Sequence, residues 1–131
     1  MIALDTNVLV RVLVEDDAAQ AARARRLIAA CVDSDEACLV TTATLCELEW
    51  VLDSVYGARR ADVAGAVRAL LVTAPFEVEA PALVARALEL YEKGKGDLSD
   101  HLIGQVGRAR GARTTYTFDR DLRKAEGFTL L

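Results

Sequence analysis

Met1-Ile2-Ala3-Leu4-Asp5-Thr6-Asn7, running on into Val8-Leu9-Val10, is the stretch that decides the fold. A short apolar run stops at an acid, two small polar residues intervene, and the apolar pattern resumes through Val12 and Leu13. The pattern predicts a buried strand over Ile2 to Leu4, a tight exit and a helix from Asn7 to Val14. A carboxylate at the C-terminal end of a strand stands where open α/β sheets place their ligands. Asp5 is therefore the reference point for every later acid.

Moving outward, Glu15-Asp16-Asp17 ends the first helix, and Asp16 or Asp17 caps a second one from Ala18 to Ala30. Arg23, Arg25 and Arg26 lie on its exposed side, as solvated helix-face residues. The acids of the Asp33-Ser34-Asp35-Glu36 loop read as solvated turn residues. A second strand covers Ala37 to Val40. Thr41-Thr42 then caps a helix from about Ala43 to Tyr56, whose core stripe is Leu45, Leu48, Leu52 and Val55 and which Gly57 ends. The helix from Ala61 to Val72 turns Val63, Val67, Leu70 and Leu71 inward. Phe76 to Val78 is a brief third strand, and Pro81 fits the first turn of a helix carrying Leu83, Val84, Ala87, Leu88 and Tyr91. Beyond the Gly94-Lys95-Gly96 loop, Asp97 or Ser99 caps a helix through Arg110, with Leu102, Ile103 and Val106 inward. Thr114 to Thr117 is β-prone, and Phe128 to Leu131 adds a short edge strand. Short strands alternating with longer helices imply parallel pairing: an α/β fold, an α/β/α sandwich with a short-stranded, mainly parallel central sheet.

A chain of 131 residues is one domain, 1–131, by its length. Apolar residues make up 53% of it, enough for a core without covalent staples. The net charge of −4 argues against a globally cationic nucleic-acid surface, so RNA or DNA would have to be met by a local basic patch or through metal ions. Cys31, Cys38 and Cys46 show neither metal-ligand spacing nor the pattern of a secreted scaffold, and read as reduced thiols of a cytoplasmic protein. Asp5 interrupts the opening apolar run too early for a signal peptide. No apolar run approaches the roughly 20 residues that span a membrane.

Four carboxylates hold equivalent places in this pattern. Asp5 ends the first strand, Glu47 lies early in the helix after the second, Asp100 sits in the first turn of the late helix, and Asp119 follows the Thr114 to Thr117 run. Strand C-termini and the helix N-termini that follow them share one edge of a parallel sheet, so the four acids are expected to meet there. Clustered like charges repel unless a divalent cation neutralises them, and all-oxygen ligation suits Mg²⁺ or Mn²⁺. Each acid also has a plain structural alternative. Asp5 can cap its helix; Asp100 can serve the helix dipole beside a capping Asp97; Asp119 can be a turn residue; and Glu47 can be one of two surface acids with Glu49.

The constellation resembles the PIN-domain nucleases, and most closely the VapC-type toxins of bacterial toxin–antitoxin pairs. The matching stretches are Leu4-Asp5-Thr6-Asn7-Val8-Leu9, Thr44-Leu45-Cys46-Glu47-Leu48, Asp97-Leu98-Ser99-Asp100-His101-Leu102-Ile103 and Thr117-Phe118-Asp119-Arg120-Asp121-Leu122, in the family's order. The resemblance implies a metal-dependent endoribonuclease that cuts RNA, often tRNA or rRNA, is held inactive by a cognate antitoxin, and forms a homodimer. It implies that Asp5, Glu47 and Asp100 form the core of a Mg²⁺ or Mn²⁺ site, that Asp119 completes it, and that Thr6, Asn7 and Thr117 orient ligands or water. Asp97 and Asp121 remain competitors for a place in that site.

The implied chemistry is phosphodiester hydrolysis by a metal-activated water, which needs no nucleophilic side chain. His101 is the only histidine, so paired-histidine catalysis within one chain is excluded; beside Asp100 it reads as incidental. Arg11, Arg120, Arg123, Lys124, Lys93 and Lys95 are candidate phosphate guides, and Arg108, Arg110 and Arg113 form another basic run. No aromatic platform for reading RNA is evident. Trp50, Tyr56, Leu83, Leu88 and Tyr91 are candidates for a dimer or antitoxin surface, with core packing as the alternative. Three rival readings remain. One is a phosphatase using Asp5 as nucleophile, though Asn7 stands where that chemistry usually has a second acid. The others are a non-catalytic binding module and a housekeeping PIN nuclease in RNA maturation.

Overall fold

The computed structural model describes all residues, Met1–Leu131. The chain forms two compact units, Met1–Pro81 and Ala82–Leu131.

In the first unit the elements run β1 (Ile2–Ala3), α1 (Thr6–Val14), α2 (Ala18–Asp33), β2 (Cys38–Val40), α3 (Thr42–Ser54), α4 (Arg60–Val72) and β3 (Phe76–Val78). The strands form a parallel sheet in the order β1-β2-β3, with Ile2 opposite Cys38 and Cys38 opposite Phe76. The central strand is buried, Cys38 and Val40 completely, as the unbroken Cys-Leu-Val run requires of a strand covered on both faces. Both connections carry two helices, long enough to return the chain to a parallel neighbour.

The helix starts follow their side chains. Asp17 caps α2 by accepting from the Gln20 amide at 3.0 Å, and Thr41 caps α3 by accepting from the Thr44 amide at 3.1 Å. Leu45, Leu48 and Leu52 form the buried stripe of α3. Val55 does not join them: α3 stops at Ser54, and Val55 is 61% exposed. Gly57, with φ +61°, then turns the chain. Glu49, which the structural alternative for Glu47 would have placed at the surface with it, is buried. It stands one position after Leu48 and one turn before Leu52, on the packed side of the helix. In α4, Val63, Ala64, Val67 and Leu70 are buried and Leu71 is only half-buried.

The second unit holds most of α5 (Pro81–Lys93), then α6 (Leu98–Ala109), β4 (Thr115–Thr117), a 3₁₀ turn at Arg120–Leu122 and β5 (Phe128–Leu130). β4 and β5 pair in parallel, with Thr115 opposite Phe128 and Thr117 opposite Leu130. Val84, Ala87, Leu88 and Tyr91 are the buried side of α5. This removes Leu88 and Tyr91 from any outer interface, whereas Trp50 of the first unit is 64% exposed.

The buried side of α6 departs from its apolar pattern. Leu98, His101, Leu102 and Gln105 are buried, while Ile103 and Val106 are exposed. The buried positions keep helical spacing but include two polar side chains, so reading apolar residues alone rotates the helix by about one position. Gly104 lets Phe128 approach: a Cβ there would lie 2.7 Å from the Phe128 ring.

Six helices with short parallel sheets place the chain in the α/β class expected from its sequence. The cysteines are free, with Cys31 and Cys38 buried and Cys46 half-buried. No helix is long and apolar enough to cross a membrane.

Candidate metal centre

Parallel pairing brings the C-terminal ends of β1, β2 and β3 to one edge of the first unit's sheet. Asp5 stands there, between β1 and α1, with its side chain exposed. It occupies the N-cap position, but its carboxylate makes no capping bond; the Asp5 carbonyl accepts from the Val8 amide instead. The capping alternative for Asp5 is thus not realised. Its Oδ2 accepts from the Asn7 side-chain amide at 3.3 Å.

Glu47 lies in the second turn of α3, facing outward. The Thr6 hydroxyl, itself 2% exposed, donates to Glu47 Oε2 at 3.0 Å. Thr6 therefore links the residue next to Asp5 with Glu47, and Asn7 holds Asp5 itself. Thr6 and Asn7 thus hydrogen-bond the Glu47 and Asp5 carboxylates, whereas Thr117 Oγ1 accepts from the Asp119 backbone amide.

One acid at this edge was missed by the sequence reading. Glu79, just after β3, accepts from both the amide (2.7 Å) and the hydroxyl (3.0 Å) of Thr42. Those bonds, the amide's first, hold its carboxyl below the usual range. The signal was present, an acid following a strand, but both contacts serve the N-terminus of α3.

In the second unit Asp100 is the third residue of α6. Its Oδ2 accepts from the Asp97 amide at 2.8 Å, and the Asp97 side chain accepts from the Asp100 amide in return, a reciprocal capping box. Asp119 follows β4; its Oδ1 accepts from the Asp121 amide at 2.9 Å, and its own amide donates to Thr117 Oγ1 at 3.0 Å. Both residues thus fulfil their structural alternatives, each with one carboxylate oxygen. Asp100 and the turn after Asp119 approach a common point at Gly96. There, with φ +85°, a Cβ would lie 2.5 Å from Leu122 Cδ2 and 3.5 Å from Asp100 Oδ2.

His101 is buried, and its Nε2 lies 2.7 Å from the Lys95 carbonyl. A carbonyl only accepts, so Nε2 donates to it, while Nδ1 is buried without a protein partner. His101 anchors the loop before α6.

Nowhere in the chain do three or more His, Cys, Asp or Glu side chains gather to hold a metal ion. As a donor set the four predicted acids nonetheless suit a hard cation. They offer only carboxylate oxygens, and in each the hydrogen bonds described involve one oxygen of the two.

The basic candidates divide. Arg11 is taken up by Asp16 at 2.8 Å, Gln20 and Tyr56. Arg108 pairs with Glu126, and Lys93 with Glu89 at 2.9 Å. Lys95 stands 3.8 Å from Asp121. Arg110, Arg113, Arg120, Arg123 and Lys124 are exposed. The sequence also gave no sign that Tyr116 (56% exposed) and Phe118 (78%), two residues apart along β4 and its exit, would both stand out at the surface.

The structure is an α/β fold with acids at strand exits and helix starts. The PIN domain family model matches residues 2–127, and the chain belongs to that family. PIN domains are typically nucleases that act on RNA and use divalent metal ions. No curated protein and no solved structure gave a significant match.

Proposed function

We propose that the chain is a single PIN domain acting as a metal-dependent endoribonuclease toxin of the VapC type, neutralised by a cognate antitoxin. It hydrolyses phosphodiester bonds in tRNA or rRNA in the cytoplasm, as a homodimer. Asp5, Glu47, Asp100 and Asp119 are the proposed ligands of Mg²⁺ or Mn²⁺. The observation that carries this reading is the exposed Asp5 and Glu47 carboxylates, held by Asn7 and Thr6 in a member of a nuclease family.

When bound, the cation lowers the pKa of its water and offsets charge on the phosphoryl group. The chain's own residues prepare for this. Thr6, itself buried, restrains Glu47 Oε2, and Oε1 takes no part in that bond. Asn7 does the same for Asp5 Oδ2. The N-terminus of α6 favours negative charge at Asp100 by about 0.3–1 kcal/mol. Such restraints lower the entropy lost when ligands are ordered.

The test is incubation of purified protein with total bacterial tRNA and rRNA, with Mg²⁺ or Mn²⁺ and with EDTA, alongside an Asp100→Asn protein purified identically. Discrete fragments produced only by the wild type with metal are expected. Intact RNA after incubation with folded, antitoxin-free, metal-loaded protein would overturn the reading.

A further inference from the structure

The second unit contains a cleft of about 320 Å³ that lies outside the four proposed ligands. Lys93 and Lys95 approach it from the end of α5 and the following loop, and Arg123 and Lys124 from the segment after the 3₁₀ turn. The sequence separates these pairs by nearly thirty positions; the fold brings them to one rim.

Its walls have two characters. Leu90, Ala125 and the aliphatic stems of the lysines make the apolar part, since long cationic side chains cover apolar surface while keeping their heads in water. Of the four cations Lys93 is paired with Glu89 at 2.9 Å, outside the lining, and two acids, Asp121 and Glu126, line the cleft. Asp121 lies 3.8 Å from Lys95, and Glu126 is already engaged by Arg86 and Arg108 from outside the lining. Arg123 uses one guanidinium nitrogen on the Arg120 carbonyl at 2.9 Å, which steadies it without neutralising it. The rim therefore keeps a cationic surplus within a protein of net charge −4.

His101 adds an independent observation. It lines the cleft, is 2% exposed, and its Nδ1 is a buried polar atom with no protein partner. Buried polar atoms without partners are uncommon and mark places where a water, ion or ligand group completes the structure.

A volume near 320 Å³ is at the lower end of small-molecule sites, and an apolar wall beneath a cationic rim suits a planar ring carrying an anionic group. We propose that this cleft binds one nucleotide of a single-stranded RNA, its phosphate on the Lys95, Arg123 and Lys124 rim and its base against Leu90 and Ala125. The proposal rests on the nuclease reading for its RNA, and adds a subsite that holds the strand outside the four proposed ligands. Such a contact gives affinity and register rather than chemistry.

The experiment is equilibrium binding of a fluorescent five-nucleotide single-stranded RNA to the full chain in EDTA, so that cleavage plays no part. Wild type is compared with Arg123→Glu/Lys124→Glu, with Lys95→Glu from the opposite wall, and with Arg23→Glu/Arg26→Glu as an equal charge change on the exposed side of α2. Each cleft reversal is expected to weaken binding about tenfold per cation. It should also reduce the slope of log affinity against log salt by about 0.7 per cation. The α2 control should stay within about twofold. AMP should compete at far lower concentration than inorganic phosphate. Unchanged affinity and salt slope in both cleft variants, or no RNA binding by the wild type, overturns the subsite; phosphate competing as well as AMP overturns the nucleotide assignment. Cleft-dependent binding without metal-dependent cleavage would sink the nuclease reading alone, whereas cleavage with binding indifferent to the cleft would sink the subsite alone.

Discussion

Thr6 Oγ1 donates to Glu47 Oε2 at 3.0 Å, joining the first turn of α1 to the second turn of α3 across 41 positions of sequence. The donor is buried and the acceptor's residue is exposed, so the packed partner restrains the exposed one. Thr6→Val keeps shape and burial but removes the hydroxyl. Loss of one neutral donor from an accessible carboxylate should cost stability no more than about 1 kcal/mol. Removing the support of a metal ligand typically costs about 10- to 100-fold in metal affinity or activity. A Mg²⁺ titration of RNA cleavage, read beside the thermal midpoint, separates the two effects. Equal metal dependence in variant and wild type would show that Thr6 is only a core residue.

Much of this first unit was legible because local and global signals agree there. The opening strand, the Asp17 and Thr41 caps and the parallel third strand all follow from residue type and spacing. Reading failed where packing overrides pattern. Ile103 and Val106 look like core and are exposed, because α6 buries His101 and Gln105 in the positions an apolar count skips. Val55 continues the stripe on paper, but the helix has ended.

The candidate acids were legible as positions and less so as side chains. That Asp5 leaves its cap unmade, whereas Asp100 and Asp119 make theirs, depends on rotamers that sequence does not encode. Glu79 went unnoticed because its strand is three residues long and its partner, Thr42, lies 37 positions away. The cations of the basic cleft were legible as phosphate guides, but not their meeting at one rim, because nearly thirty positions separate Lys95 from Arg123 until the fold brings them together.

Two glycines in helices should respond oppositely to alanine. At Gly65, exposed in α4, an added Cβ meets nothing within 4 Å. Gly65→Ala should stabilise the protein by about 0.5–1 kcal/mol through helix propensity. At Gly104 the same Cβ falls 2.7 Å from the Phe128 ring, which must shift and disturb β5. Gly104→Ala should destabilise by about 1–3 kcal/mol. Urea denaturation of both variants decides it; like-signed changes would contradict the packing described for α6.

Tyr56 donates to Asp16 Oδ2 at 2.6 Å, and Arg11 contacts both. The Tyr56 bond, with Arg11's charge behind it, lowers the Asp16 carboxyl below its ordinary 3.8, against the opposing effect of desolvation. The same bond raises the Tyr56 phenol above 10.0. A depressed carboxyl stabilises the fold above the unfolded value and loses that contribution as pH falls through the folded value; a raised phenol does so below 10.0 and loses it as pH rises. Tyr56→Phe should therefore lower the urea midpoint at pH 7. The deficit should shrink below about pH 4 and above about pH 10. A deficit constant from pH 3 to pH 11 would mean that Tyr56 contributes by packing alone.

Cys38 is fully buried in the central strand, and burial first, then the neighbouring Cys31 thiol, pushes its pKa from 9.0 up to about 11. The unfolded chain releases this proton first, so the contribution is complete below pH 9 and is lost as pH rises toward 11. Stability profiles of wild type and Cys38→Ala should converge across that window, although the variant is less stable at pH 7 because of its cavity. Native Cys38 should also resist iodoacetamide at pH 8 and react once unfolded. Rapid labelling in the native state would show that β2 opens readily.

Asp119 and Asp121 can be told apart because their carboxylates serve different neighbours. Asp119 caps the 3₁₀ turn through Oδ1, a role the carbonyl of asparagine also fills, so Asp119→Asn removes charge while preserving the turn. If Asp119 is a ligand, that substitution should reduce cleavage by on the order of 100-fold at limiting Mg²⁺, with less than about 1 kcal/mol lost in stability. Asp121 faces Lys95 at 3.8 Å with both side chains well exposed, a pair worth little in itself. Asp121→Asn should leave the metal dependence intact and, by freeing Lys95, strengthen RNA binding at low salt. Rates over a Mg²⁺ series for the two variants discriminate between them. Loss of metal dependence in Asp121→Asn with a normal Asp119→Asn would reverse the assignment and move the proposed ligand two residues further along the chain.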